Sequence, residues 1–176
     1  MTNVVARYEE LLAAGELRED ADQRTAVERL AQVQEALEDH SAPGLLARLR
    51  GRKSEPVRGL YMWGGVGRGK SMLMDLFFEC LAIERKRRVH FHAFMLEVDK
   101  MIGEERKKHQ EGPVRRVAAR IAEDVRCLAF DEMVVNNTAD AAIMARLFTP
   151  LIEDHGVTIV TTSNRPPHDL YKDGLN

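Results

Sequence analysis

The stretch Gly64-Gly65-Val66-Gly67-Arg68-Gly69-Lys70-Ser71 fits the pattern G-x-x-x-x-G-K-S/T in full, and it narrows the choice of folds more than any other part of the chain. The pattern carries meaning only where a strand enters and a helix leaves. Both are legible here: Gly59-Leu60-Tyr61-Met62-Trp63 reads as a strand and Ser71 to Leu81 as a helix. In that frame, glycines let consecutive N–H groups turn inward and form an anion nest around a β-phosphate. The first turn of the helix adds the positive end of its dipole. Lys70 is expected between the β- and γ-phosphates, and the Ser71 hydroxyl on Mg²⁺. Gly64, Gly65, Val66, Gly67, Arg68, Gly69, Lys70, Ser71 and Met72 form the expected contact set for ATP.

The remaining pattern suits an α/β fold. Before the loop the chain reads as helices: Val4, Val5, Tyr8, Leu11 and Leu12 recur at helical spacing up to a cap at Gly15. Val27, Leu30, Val33 and Leu37 make a second stripe, which Ser41-Ala42-Pro43-Gly44 breaks. A short segment from Leu45 to Leu49 leads into a polar linker, Gly51 to Pro56. The expected division is therefore a helical segment and linker over 1–55 and a phosphate-loop core over 56–176. Within that core, short apolar runs alternate with helical patterns, the signature of a mainly parallel sheet flanked by helices. Strands are expected at Val89–His92, Cys127–Phe130 and Val157–Thr161. Helices are expected at Phe94–Ile102, Val114–Ile121 and Ala139–Ile152.

The third strand runs into Asp131-Glu132. Acidic groups at the C-terminal tip of a parallel strand lie where ligands bind in open α/β sheets. Asp131 is expected to hold Mg²⁺, largely through water. Glu132 is placed to polarise an attacking water as general base. That second carboxylate favours hydrolysis over a kinase, which activates a substrate hydroxyl. The fourth strand ends in Thr162-Ser163-Asn164. Asn164 is the choice for a sensor of the γ-phosphate, while Thr162 and Ser163 are open to a simpler role as strand-end hydrogen bonders.

Composition excludes several classes. The 176 residues are 44% hydrophobic and 31% charged, with a net charge of −2, so no global basic field points to nucleic acid. No apolar run approaches a membrane span. Cys80 and Cys127 sit in apolar runs without metal-ligand spacing and read as reduced core thiols, consistent with a cytoplasmic setting. The basic runs at Arg85–Arg88 and Arg106–Lys108 read as solvated faces, with contact to acidic lipid or a partner's acidic tail as the alternative. His90 and His92 alternate as strand neighbours on one face but lack a third ligand for a metal. Trp63 is expected to pack, with a place near a nucleobase as the lesser reading. Arg165 is open to facing a phosphate or a neighbouring subunit.

Taken together, Gly59 to Phe77, Arg88 to Met95, Phe130-Asp131-Glu132 and Thr162-Ser163-Asn164-Arg165-Pro166-Pro167 through Asn176 closely resemble the AAA-type ATPases of the family that includes the bacterial cell division protein ZapE and its mitochondrial counterparts. The resemblance covers nearly the whole chain. It implies ATP hydrolysis coupled to remodelling of a protein partner, such as polymers of a tubulin-like division protein, by a homo-oligomer. It leaves room for peripheral membrane contact, and mitochondrial relatives are linked to turnover of membrane proteins. A nucleotide-gated binding module is the alternative, with hydrolysis only resetting a switch. One departure lies at Met133-Val134-Val135-Asn136-Asn137-Thr138, where the family commonly has an aromatic and a Gln-Val-Thr-Asp-like stretch. The family's length also implies a trans-acting arginine just beyond Asn176 and a helical lid later, the former worth about 10³–10⁵ in turnover.

Overall fold

Four short parallel strands organise the described part of the chain, in the spatial order β1-β4-β3-β2. The computed structural model describes residues 2–40, 56–108, 112–135 and 138–170. The expected break at 41–44, the segment Leu45–Leu49 and most of the linker lie outside these residues.

Helix α1 (Val4–Ala13) starts on Asn3, whose side chain accepts the Val5 N–H at 2.8 Å. It ends into Gly15, whose positive φ of 72° lets the chain reverse. Helix α2 (Ala21–His40) is capped by Asp20, whose carboxylate accepts the N–H groups of Asp22 and Gln23 at 2.9 and 3.0 Å. Its stripe of Val27, Leu30, Val33 and Leu37 is buried, as the spacing predicts. Strand β1 (Leu60–Trp63) then feeds the glycine loop, and α3 (Lys70–Cys80) leaves it. At Gly59 a Cβ would lie 1.7 Å from the Ile159 carbonyl oxygen, so only glycine fits that crossing of two backbones.

The second strand differs from the expectation. β2 is Lys86–His90, and α4 (Phe91–Lys108) starts at once, so the strand begins within the basic run and only Val89 and His90 of the expected Val89–His92 belong to it. The two histidines therefore stand one on a strand and one on a helix, and strand alternation does not relate them. The basic run is also not simply solvated. Lys86 Nζ donates to the Leu81 carbonyl at 2.7 Å and to that of Phe78, closing the C-terminal end of α3. Arg87 forks onto Glu97, and Arg88 reaches Asp131. β2 pairs only with β3 among the described residues, and charged side chains suit such an edge.

Helix α5 (Pro113–Asp124) places proline at its first turn, and β3 (Cys127–Asp131) is buried along its whole length. Helix α6 (Thr138–Thr149) does not run smoothly to Ile152: a π-helical turn, Pro150–Asp154, follows it. Strand β4 (Thr158–Ser163) returns between β1 and β3, and a 3₁₀ turn covers Pro167–Asp169.

Alternation along the strands divides the core into two layers. Met62, Cys127, Ala129 and Val160 join α1, α2 and α3 in one cluster. Leu128 and Phe130 join α4, α5 and α6 in the other. There Phe130 meets Phe94 and Phe91 edge to face, at 4.8 and 5.6 Å between ring centres, and stacks on Phe148 at 5.7 Å. All four strands point the same way, so their C-terminal tips converge at one end of the sheet.

Candidate functional site

That end carries the loop. Gly64, Gly67 and Gly69 take φ values of 152°, 81° and 79°, conformations that side chains resist, and successive turns of this kind are what build anion-binding nests. Gly69 occupies the N-cap position of α3 without a side-chain bond, so the first N–H groups of that helix stay available to an anion. Lys70 folds back onto its own loop, its Nζ donating to the carbonyls of Gly64 and Gly65, each at 2.7 Å. Partial burial pulls the Lys70 pKa below its usual 10.5, and the negative field of Glu132 works the other way. The two side chains, 62 positions apart in sequence, are therefore within electrostatic reach.

The acidic tip is built with care. Asp131 is the last residue of β3, and its carboxylate accepts two hydrogen bonds from one guanidinium: Arg88 Nε to Oδ2 at 2.8 Å and Nη2 to Oδ1 at 3.1 Å. The third arm of Arg88 contacts Asp75 on α3. Glu132 is exposed, and it is the one non-glycine residue with positive φ (54°) among the described residues. Its backbone is held from β4: the Glu132 N–H donates to Thr162 Oγ1 at 3.1 Å and the Met133 N–H to the Thr162 carbonyl at 2.8 Å.

Thr162 and Ser163 thus act as strand-end hydrogen bonders. The Ser163 hydroxyl donates to the Met133 carbonyl at 2.7 Å and accepts the Arg165 N–H at 3.1 Å. The Ser163 carbonyl accepts the Gly64 N–H at 3.3 Å, tying the same strand tip to the loop. Asn164 stands exposed immediately beyond. Arg165 is half-buried, and its carbonyl accepts the Tyr61 hydroxyl at 2.8 Å.

Two features lie outside what the sequence suggests. Trp63 does not pack in the core: it is 57% exposed, the last residue of a strand that, among the described residues, has a neighbour on one side only. The N-terminal helices also take part in the site. A cavity of ≈ 640 Å³ opens between the start of α2, β1 and the loop, with Asp20, Gln23, Trp63, Gly64, Arg68 and Lys70 among its walls. Gln23 Nε2 donates to the Arg68 carbonyl at 3.3 Å, across 45 positions of sequence. Only the periodic stripe of α2 marks that helix in the sequence, and nothing in it ties Gln23 to the loop.

Oxygen donors for a divalent cation are present in Ser71 and Asp131, a hydroxyl in the first turn of α3 and a carboxylate at the end of β3. Each Asp131 oxygen accepts one Arg88 N–H and keeps further acceptor capacity for water. Mg²⁺ is usually held in this way, by one or two protein oxygens with phosphates and waters. Cys80 and Cys127 are free thiols away from this end, and among the described residues no helix is long and apolar enough to cross a membrane.

The family model described as AFG1-like ATPase matches residues 2–176. The chain is 41% identical over 182 residues to the cell division protein ZapE of Escherichia coli strain K12, covering 97% of this chain and 48% of that protein. It is 35% identical over 225 residues to lactation elevated protein 1 homolog B of Danio rerio, covering 98% of this chain and 44% of the relative. The chain thus spans about half the length of the curated relatives it matches. Among solved structures, DnaI superposes with a TM-score of 0.53 at 18% identity, covering 90% of this chain and 72% of that one. AMPPCP-bound DnaA from Aquifex aeolicus gives 0.50 at 19% identity, covering 88% and 42%. At such identities the likeness is one of fold.

Proposed function

Because the chain belongs to the AFG1-like ATPase family, we propose that it binds Mg-ATP on the Gly64–Ser71 loop and hydrolyses the terminal phosphate with Glu132 as general base. The observation that carries this reading is the tip of β4, which ties both halves of the site together. Through Ser163 it holds Gly64 at the start of the loop, and through Thr162 it holds the backbone of Glu132 and Met133. A bound triphosphate and the acidic tip are then kept in register by hydrogen bonds within one sheet.

Each residue has a defined task in this scheme. Loop N–H groups and the start of α3 receive the β-phosphate. Lys70 exchanges the carbonyls of Gly64 and Gly65 for phosphate oxygens and compensates charge that develops toward the γ-phosphate. Glu132, exposed and fixed by its backbone, orients a water and takes its proton. Asn164 contacts the γ-phosphate from the β4 tip. Ser71 and Asp131 would hold Mg²⁺, which supplies neutralising charge on the β- and γ-phosphates when bound. Arg88 keeps the Asp131 carboxylate aimed.

The cellular role in this proposal is remodelling of a protein partner in the cytoplasm, by an assembly of several copies. The 41% identity to a protein named for cell division supports it and makes polymers of a tubulin-like division protein the first partner to try. The reading is tested by titrating a ribose-labelled fluorescent ATP into the wild-type chain and into Lys70→Ala. Saturable binding that Lys70→Ala abolishes is the expected result. Equal binding by both proteins would contradict the site.

A further inference from the structure

The cavity beside the loop is not accounted for by phosphate chemistry. Its walls come from the start of α2, β1, the loop and the first turn of α3, and among the described residues none comes from β3 or β4. In the nucleotide-binding reading above, the terminal phosphate lies toward the acidic tip, which leaves this cavity on the loop's other flank for the nucleoside end. At ≈ 640 Å³ it is large enough for a nucleoside.

Gln23 is the group there with a pattern to offer. Its Nε2 donates to the Arg68 carbonyl at 3.3 Å, and its Oε1 accepts the Tyr8 hydroxyl at 3.3 Å. A carbonyl can only accept, so the Arg68 contact fixes which end of the amide is nitrogen. Among the described residues these are its side-chain partners, which leaves one N–H and one oxygen lone pair on a single planar group. Tyr8 is buried between α1 and the rest of its layer, so it holds the amide from behind. The amide also packs over the loop: a Cβ on Gly69 would lie 2.9 Å from Gln23 Nε2.

We infer that Gln23 reads the purine edge and makes this a site for adenine over guanine nucleotides, an inference that rests on the nucleotide-binding reading above. A side-by-side donor and acceptor matches adenine, which presents the N6 amino donor beside the N7 acceptor. Guanine presents O6 and N7 there, both acceptors, and sets O6 against Gln23 Oε1. Trp63, exposed on the same cavity, supplies a stacking face that any base accepts.

Competition against ribose-labelled ATP tests this, using ATP, GTP and 7-deaza-ATP as competitors with wild type, Gln23→Ala, Gln23→Glu and Trp63→Ala. Wild type is expected to prefer ATP over GTP by about tenfold or more, and 7-deaza-ATP, lacking the N7 acceptor, to bind several-fold more weakly than ATP, on the order set by one bidentate base contact. Gln23→Ala should bring ATP, GTP and 7-deaza-ATP to within about twofold of one another. Gln23→Glu keeps the acceptor for Tyr8 and N6 but loses the donor to N7, so it should keep ATP ahead of GTP, bind 7-deaza-ATP at least as well as ATP, and still melt as a folded protein. Trp63→Ala should weaken all three competitors together and leave their ratio unchanged. An ATP preference that survives Gln23→Ala, a Gln23→Glu protein that still binds 7-deaza-ATP more weakly than ATP, or a wild type indifferent to the base would overturn the assignment. Failure of labelled ATP to bind wild type at all would sink the nucleotide-binding reading itself.

Discussion

Arg88 on β2 presents two of its nitrogens to the two carboxylate oxygens of Asp131 on β3, at 2.8 and 3.1 Å, with the side chains only 23% and 13% exposed. The pair lies at the end of the sheet where the phosphate loop begins. Burial works against the charge of Arg88, but its hydrogen bonds to Asp131 and Asp75 outweigh that and raise an already high pKa.

Removing Arg88 strands the largely buried charge of Asp131. Arg88→Ala should therefore cost about 2–4 kcal/mol of stability in urea denaturation, near the range for breaking a buried pair. Most of that cost should return in Arg88→Met combined with Asp131→Asn, because no charge is then left alone. A double variant no more stable than Arg88→Ala would show that the fork matters for packing and not for charge.

Glu132 sits at φ 54°, which costs a branched or long side chain roughly 1 kcal/mol and suits asparagine better. Glu132→Asn is expected to raise stability by about 0.5–1 kcal/mol while removing hydrolysis. Stability and turnover measured on the same variant separate the two effects. A destabilised Glu132→Asn would mean that the carboxylate, and not the backbone, dominates at this turn.

Lys70 titrates below 10.5 in the folded chain, chiefly because it is partly buried. Between that lowered value and 10.5 the unfolded chain binds more protons at this site, so its contribution makes the free protein more stable as pH rises. Phosphates favour the charged amine, so nucleotide binding takes up a proton in the same window and weakens as pH rises. Binding titrations across alkaline pH should show that loss, and Lys70→Arg should shift it beyond the window because a guanidinium stays charged.

The two thiols should part company in labelling. Cys127 is buried in β3 and its pKa is pushed up to about 12, chiefly by burial. Cys80, half-buried at the end of α3, is raised by burial too, but it has a path to solvent. A maleimide at neutral pH is expected to modify Cys80 slowly and Cys127 only after unfolding, read by intact mass with and without urea. Native modification of both would contradict the burial of β3.

What could be read in advance was local. The glycine loop, the run Cys127–Phe130 and the stripe Val27–Leu37 each announce themselves within a dozen residues, through motif or period. The start of β2 did not, because its inward contacts come from the stems and charged ends of Lys86, Arg87 and Arg88 and leave no apolar alternation to see. The Arg88–Asp131 fork spans 43 positions and the Gln23–Arg68 contact 45. Such pairings depend on strand order, which puts β2 beside β3, and on α2 packing over β1 and α3, and neither is written in any one segment. Trp63 reads as a core residue by type alone, while its place at the end of an edge strand decides its exposure.

Phosphate release at saturating ATP, compared between wild type and Glu132→Gln at equal nucleotide occupancy and over a range of protein concentrations, tests the central claim most directly. The account predicts measurable turnover by wild type that rises with concentration, and a fall of about 10²–10⁴ in Glu132→Gln with binding intact, as for the loss of a general base. Turnover that persists in Glu132→Gln, or bound ATP that wild type never hydrolyses, would contradict it.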